Sequence, residues 1–135
     1  MLNETTSIKR LVLLRLKPGD DILMALRQGV KDADIQSGLI VNGTGSVSSY
    51  HYHVVDSLEL PPAEAFPQGE KPCDIVSMSG LIIDGRVHAH VTFCNKHHAF
   101  GGHLEEGCRV LTFTVIVLAE TPDIRYTDWD TIGAL

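Results

Sequence analysis

One run of seven residues restricts the fold more than any other feature of the chain: Val87-His88-Ala89-His90-Val91-Thr92-Phe93, entered through Asp84-Gly85 and followed by Gly101-Gly102-His103. β-branched and aromatic residues dominate it, and Asp-Gly is a strong hairpin turn signal, so residues 73–83 and 87–93 read as two antiparallel strands. Alternate side chains of a strand share a face, which sets His88 and His90 side by side with their backbones about 6.5–7 Å apart. If the chain then folds back through 95–98, a turn centred between Lys96 and His97 pairs position 90 with position 103. His103 would then face the same point from the next strand. The glycines before it let the backbone come close to a neighbour or take positive φ, either of which helps to aim a ligand.

Three neutral imidazoles with a fourth position left open is the ligand set of a catalytic zinc centre, whereas structural zinc takes four protein ligands rich in cysteine. His88, His90 and His103 are therefore the expected metal ligands and Zn2+ the expected cofactor. The competing reading is a set of histidines hydrogen-bonded on a sheet face without metal. Zinc binding needs deprotonated rings, so metal should be lost as pH falls below about 6.5.

The remaining elements follow from pattern. Residues 8–17, with Leu11-Val12-Leu13-Leu14, read as a buried strand stopped by Pro18-Gly19. Asp20 and Asp21 supply a cap and negative charge for a helix over 21–33, whose Ile22, Leu26, Val30 and Ala33 share one face, while Gly29 weakens it by roughly 1 kcal/mol. Strands are expected at 36–42 and 47–56. Between them Gly43-Thr44-Gly45 lacks the third glycine or Gly-Lys-Ser/Thr of a nucleotide loop and reads as a turn or bulge. Pro61-Pro62, Pro67 and Pro72 mark 57–72 as a surface loop, of a length often used as a lid or an interface. Residues 108–120 are the most apolar strand and should lie centrally. The tail carries Tyr126, Trp129, Ile132 and Leu135 at threefold spacing, and should dock on its own sheet or on another subunit.

Other titratable groups divide by position. Tyr50-His51-Tyr52-His53 holds a second H-x-H, but without a glycine-flanked partner histidine it reads as a solvated or interfacial strand face. Cys94 shares parity with His88 and His90 but lies about 13 Å along the strand from His90, too far for a common ion. His97 and His98 fall in the turn. Glu105, on the face of His103 if the strand continues, and its neighbour Glu106 are the nearest proton carriers, and Arg86 could hold an anionic substrate.

With 135 residues the chain reads as a single domain, with its core over about 8–120 and a tail at 121–135. Its formal charge of −6, with scattered Lys and Arg, counts against direct nucleic-acid binding. The N-terminus lacks a signal-peptide pattern, and no apolar run could span a bilayer. Three cysteines without C-x-x-C spacing read as reduced thiols of a cytoplasmic protein.

These residues resemble a known family. Gly80-Leu81-Ile82, Gly85-Arg86-Val87-His88-Ala89-His90-Val91 and Gly101-Gly102-His103-Leu104-Glu105-Glu106-Gly107 are similar to the PPC (plants and prokaryotes conserved) domain. The opening Arg15-Leu16-Lys17-Pro18-Gly19-Asp20-Asp21-Ile22 and the turn Gly45-Ser46-Val47 resemble it too, so that the likeness spans about 8–120. The resemblance implies an α+β fold, a mixed, largely antiparallel sheet with one main helix packed on it, usually assembled as a homotrimer. It implies that the three motif histidines can hold zinc. Plant members carry an AT-hook for DNA; here Gly85-Arg86-Val87 lacks the proline of that motif. Two functions are left open: a metal-dependent enzyme acting on a small polar or anionic molecule, or a non-catalytic, self-associating regulatory or DNA-associated module whose metal is structural.

Overall fold

The computed structural model describes residues 1–133. Nine strands and one helix run in the order β1 (Arg10–Leu16), α1 (Ile22–Asp32), β2 (Ser37–Val47), β3 (Tyr50–Val55), β4 (Glu64–Ala65), β5 (Gln68–Gly69), β6 (Cys73–Ile83), β7 (Arg86–Cys94), β8 (Ala99–Leu104) and β9 (Val110–Glu120). They form one sheet in the order β1-β9-β2-β6-β7-β8-β3-β4, with β5 also on β3. Every ladder among the described residues is antiparallel. The α+β class expected from the sequence is the one observed. No helix among the described residues is long and apolar enough to cross a membrane.

The helix forms where its cap and its apolar stripe coincide. Asp21 is the N-cap, its carboxylate accepting from the Met24 amide at 3.1 Å, and Ile22, Leu23, Leu26 and Val30 are buried. They pack on the inner face of the sheet, with Ile40, Met78, Ile82, Phe93, Ile116 and Leu118 in one cluster. Gly29, a helix weakener by propensity, has a packing reason: a Cβ there would lie 2.6 Å from Leu14. Glycine lets α1 approach β1 closely.

Two expectations need correction. β1 is not a buried strand but the edge of the sheet, with Leu11 and Leu13 55% and 67% exposed. A continuous apolar run does not tell one face from the other, and only the Val12, Leu14 and Leu16 face turns inward, where Leu16 is buried. Nor is the most apolar strand central. β9 lies second from that edge, its inner residues Ile116 and Leu118 buried while Leu111 and Phe113 stand exposed on the outer face. The Gly43-Thr44-Gly45 segment is not a turn: β2 runs on through it in register with Ile116, Val115 and Thr114 of β9, and bulges flank it at Ile40/Asn42 and Gly45/Val47.

The tail docks on its own sheet through Ile124, Tyr126 and Trp129, whereas Ile132, expected to dock with them, is 62% exposed. Ile124 and Tyr126 are buried with Ile83, and Leu39, Leu81 and Trp129 pack around them. The Tyr126 and Trp129 rings meet edge to face at 5.2 Å. Leu135 lies outside the described residues.

Candidate metal centre

Residues directly opposite one another on adjacent strands point to the same face. One row across the sheet therefore reads Ser79, His90, His103, His53, and the next reads Leu11, Ala119, Leu39, Leu81, His88. Both lie on the face away from α1. The hairpin between β7 and β8 has the expected register, His90 opposite His103, closed by a 3.0 Å bond from the Asn95 amide to the His98 carbonyl. Asn95 Oδ1 also accepts from the His97 and His98 amides, an Asx arrangement that fixes the turn.

Gly101 and Gly102 permit this register through close approach and not through positive φ. A Cβ on Gly101 would stand 2.0 Å from the Val91 carbonyl oxygen, and one on Gly102 would stand 2.3 Å from that of His53. Each glycine seats β8 against one of its neighbours.

The three rings converge. Centroids are 5.4 Å apart for His88 and His90, 4.7 Å for His88 and His103, and 5.3 Å for His90 and His103. One nitrogen from each lies within 4.8 Å of those from the other two. Burial pushes His103 down to about 4, helped by the neighbouring charges of His88, His53 and His90 and opposed by Glu105. His90 is lowered as well, by desolvation first and then by His88 and His53. Both shifts favour the neutral, ligating form of the ring, and ring nitrogens converging on one point are what a borderline-soft divalent ion needs. The donor set fits zinc.

One tail residue that no sequence pattern singles out stands beside the rings. Asp130 Oδ2 accepts from His88 Nδ1 at 3.0 Å and from Arg86 Nη1 at 2.8 Å, while Oδ1 takes Arg86 Nη2 at 3.1 Å. The Arg86 hydrogen bonds, seconded by His88, hold the Asp130 carboxyl well below the usual carboxylate range. Arg86 is thus engaged by Asp130. Glu106 points elsewhere, forming an ion pair with Arg27. Glu105 is the glutamate that joins the site: its Oε1 lies 2.6 Å from His53 Nδ1. His53 in turn stacks on His103 with centroids 4.4 Å apart, and Glu64 lies 3.7 Å from its Nε2. The strand face expected to be solvated or interfacial therefore adjoins the three histidines, and His53, His103 and Glu105 form a second set of converging donors. The only trace of this in the sequence was the repeat of the H-x-H pattern on a second strand.

The Plants and Prokaryotes Conserved (PCC) domain model matches residues 3–122. The chain belongs to that family. Among curated proteins, it is 30% identical over 115 residues to the bifunctional protein GlmU of Synechococcus sp. strain JA-2-3B'a(2-13), covering 84% of this chain but 17% of that protein. It thus spans less than a fifth of this relative's length. Among solved structures, a PPC protein from Pyrococcus horikoshii superposes with a TM-score of 0.74 at 26% identity, covering 93% of this chain and 87% of that one. A metal-containing protein from Archaeoglobus fulgidus gives 0.77 at 22%, covering 90% and 86%. A protein from Bacteroides thetaiotaomicron, named as a candidate DNA-binding protein, gives 0.71 at 20%, covering 90% and 87%. That last name does not fit the expectation, drawn from net charge, that counted against direct nucleic-acid binding.

Proposed function

We propose that this PCC-domain protein holds a zinc ion on His88, His90 and His103 and uses it on a small polar molecule, with Glu105 as the proton carrier. The observation that carries this reading is the convergence of one nitrogen from each of three rings, beside an acid–base pair that shares a neighbour with them. The Archaeoglobus fulgidus protein of similar fold is metal-containing, which supports it. When bound, zinc supplies Lewis acidity, polarising a carbonyl or carboxylate or acidifying water. The chain supplies the remainder. Glu105 and His53 share a hydrogen bond that lets a proton taken at one be passed to the other. His53, stacked on His103, keeps that pair at the edge of the metal cluster. A groove of about 430 Å³ beside His90, walled by Ser77, Ser79, Thr92, Phe100 and Gly101, offers hydroxyl groups and no charged side chain. That lining suits a neutral, oxygen-rich ligand better than the anion expected from Arg86, whose charge is met by Asp130.

Self-association is part of the same proposal. Leu11, Leu13, Leu111 and Phe113 are exposed on the face that also bears the histidines, and an apolar sheet face of this kind suits contact with other copies, a trimer being the family expectation. The second reading is a non-catalytic, DNA-associated module with a structural metal, favoured by the name of the Bacteroides thetaiotaomicron neighbour. Cobalt(II) separates the two. In an open site the visible bands of the cobalt-loaded protein shift when azide is added. A closed, structural site leaves them unchanged, and bands that persist in His103→Ala would remove the assigned ligands altogether.

A further inference from the structure

The metal ligands lie within the family match, which ends at residue 122, whereas the segment after it approaches the site from outside that match. Its path is fixed at several points. The Tyr126 hydroxyl and Thr121 Oγ1 share a buried 3.1 Å hydrogen bond, and Thr127 Oγ1 donates to Asp84 Oδ2 at 2.9 Å. Backbone bonds from Trp129 to Tyr126 and from Thr131 to Asp128 tighten the turns between. Tyr126 is buried, and Trp129 meets its ring edge to face and packs on the cluster that Tyr126 forms with Ile83 and Ile124. Held in this way, the segment presents one carboxylate to the sheet: Asp130, whose side chain is only 12% exposed.

We propose that residues 122–133 act as a strap whose Asp130 positions His88, fixing its ring with Nδ1–H toward the carboxylate and Nε2 toward the ion. The inference rests on the three-histidine reading of the site and deepens it. The chemistry follows from the donors and acceptors present. Asp130 already accepts two hydrogen bonds from Arg86 and offers His88 only an acceptor, so the nitrogen 3.0 Å away must be the one that donates. A neutral imidazole with a proton on Nδ1 has its lone pair on Nε2. A ligating histidine that gives its other N–H to a carboxylate is fixed in tautomer and angle and is a stronger base toward the metal. Arg86 then has a defined part: it grips Asp130 with two parallel bonds, so that the carboxylate cannot swing away from the ring. It is a positioning residue at one remove from the ion.

The test uses Asp130→Asn and Asp130→Ala in the full chain. Nitrogen-15 spectra of the metal-free protein should show the His88 ring as the Nδ1–H tautomer in the wild type and shifted toward Nε2–H in Asp130→Ala. Chelator competition should show zinc binding weakened 10–100-fold in Asp130→Ala, in the range seen when such outer partners are removed. The nearly isosteric Asp130→Asn keeps the strap in place, and the emission of Trp129, the only tryptophan, reports whether it stays docked. An unchanged tautomer in Asp130→Ala overturns the proposal. A shifted tautomer with unchanged zinc affinity overturns its bearing on the metal. If the wild type takes up no zinc, the three-histidine reading fails, and the tautomer still decides whether Asp130 sets the ring.

Discussion

Replacing Gly101 with alanine puts the β8 register to the hardest test. The new Cβ would stand 2.0 Å from the Val91 carbonyl oxygen, where contacts under 3.0 Å essentially never occur, so the strands must part by about 1.0 Å. The clash is with backbone, which cannot rotate aside. Forcing added methyl groups into packed structure costs typically about 1–3 kcal/mol, and loss of a ladder hydrogen bond adds to this. His103 lies two residues along the same strand, and a metal site tolerates only about 0.2 Å in ligand distance. A displacement near 1 Å should therefore weaken zinc binding by tenfold or more. Urea denaturation at constant slope gives the stability change and chelator competition gives the affinity. Gly43→Ala is the control: its Cβ would meet the Met78 Cβ at 2.8 Å on the inner face of the sheet, opposite the face that bears the histidines, so it should lose stability and keep its zinc affinity. Wild-type stability and zinc affinity in Gly101→Ala would refute the close approach of β7 and β8 and the convergence built on it.

Other expectations follow from the same structure. Because His103 is pushed down to about 4, the unfolded chain takes a proton near pH 6.5 that the folded metal-free protein refuses. Metal-free stability should therefore fall as pH drops from 6.5 to 4, His103 contributing at most roughly 3 kcal/mol and less after solvent screening, and go on falling below 4 as the depressed Asp130 carboxyl takes a proton, as thermal unfolding at several pH values would show. Lowered His90 and His103 also resist proton competition, so zinc release should set in below the pH expected for ordinary imidazoles. Release already complete at pH 6.5 would contradict this. Cys73 and Cys108 are buried, and burial pushes the Cys108 thiol up to about 11; a thiol reagent at pH 8 should find one fast cysteine, Cys94, in the native protein and three in denaturant. Leu13→Lys combined with Phe113→Lys should turn a self-associated protein into single chains by sedimentation, with zinc content retained.

The parts of the site that could be read from the sequence are those governed by short-range rules. The His88 and His90 pairing follows from strand parity, the His90 and His103 pairing from a turn centred between Lys96 and His97, and the choice of Glu105 over Glu106 from alternation carried one residue past β8. His53 was out of reach because β3 joins β8 across some fifty residues of chain, and no turn between them fixes a register. Asp130 comes from an irregular tail, where no periodicity tells which side chain points inward. β1 and β9 were misplaced for one reason: apolarity was counted along the strand, while the outer face of this sheet carries apolar residues that the single chain leaves exposed.

The most direct measurement is elemental analysis of the purified wild type beside His90→Ala, both prepared without chelator. Close to one zinc per chain is expected in the wild type and little in the variant. Equal zinc in the two samples, or none in either, would contradict that expectation.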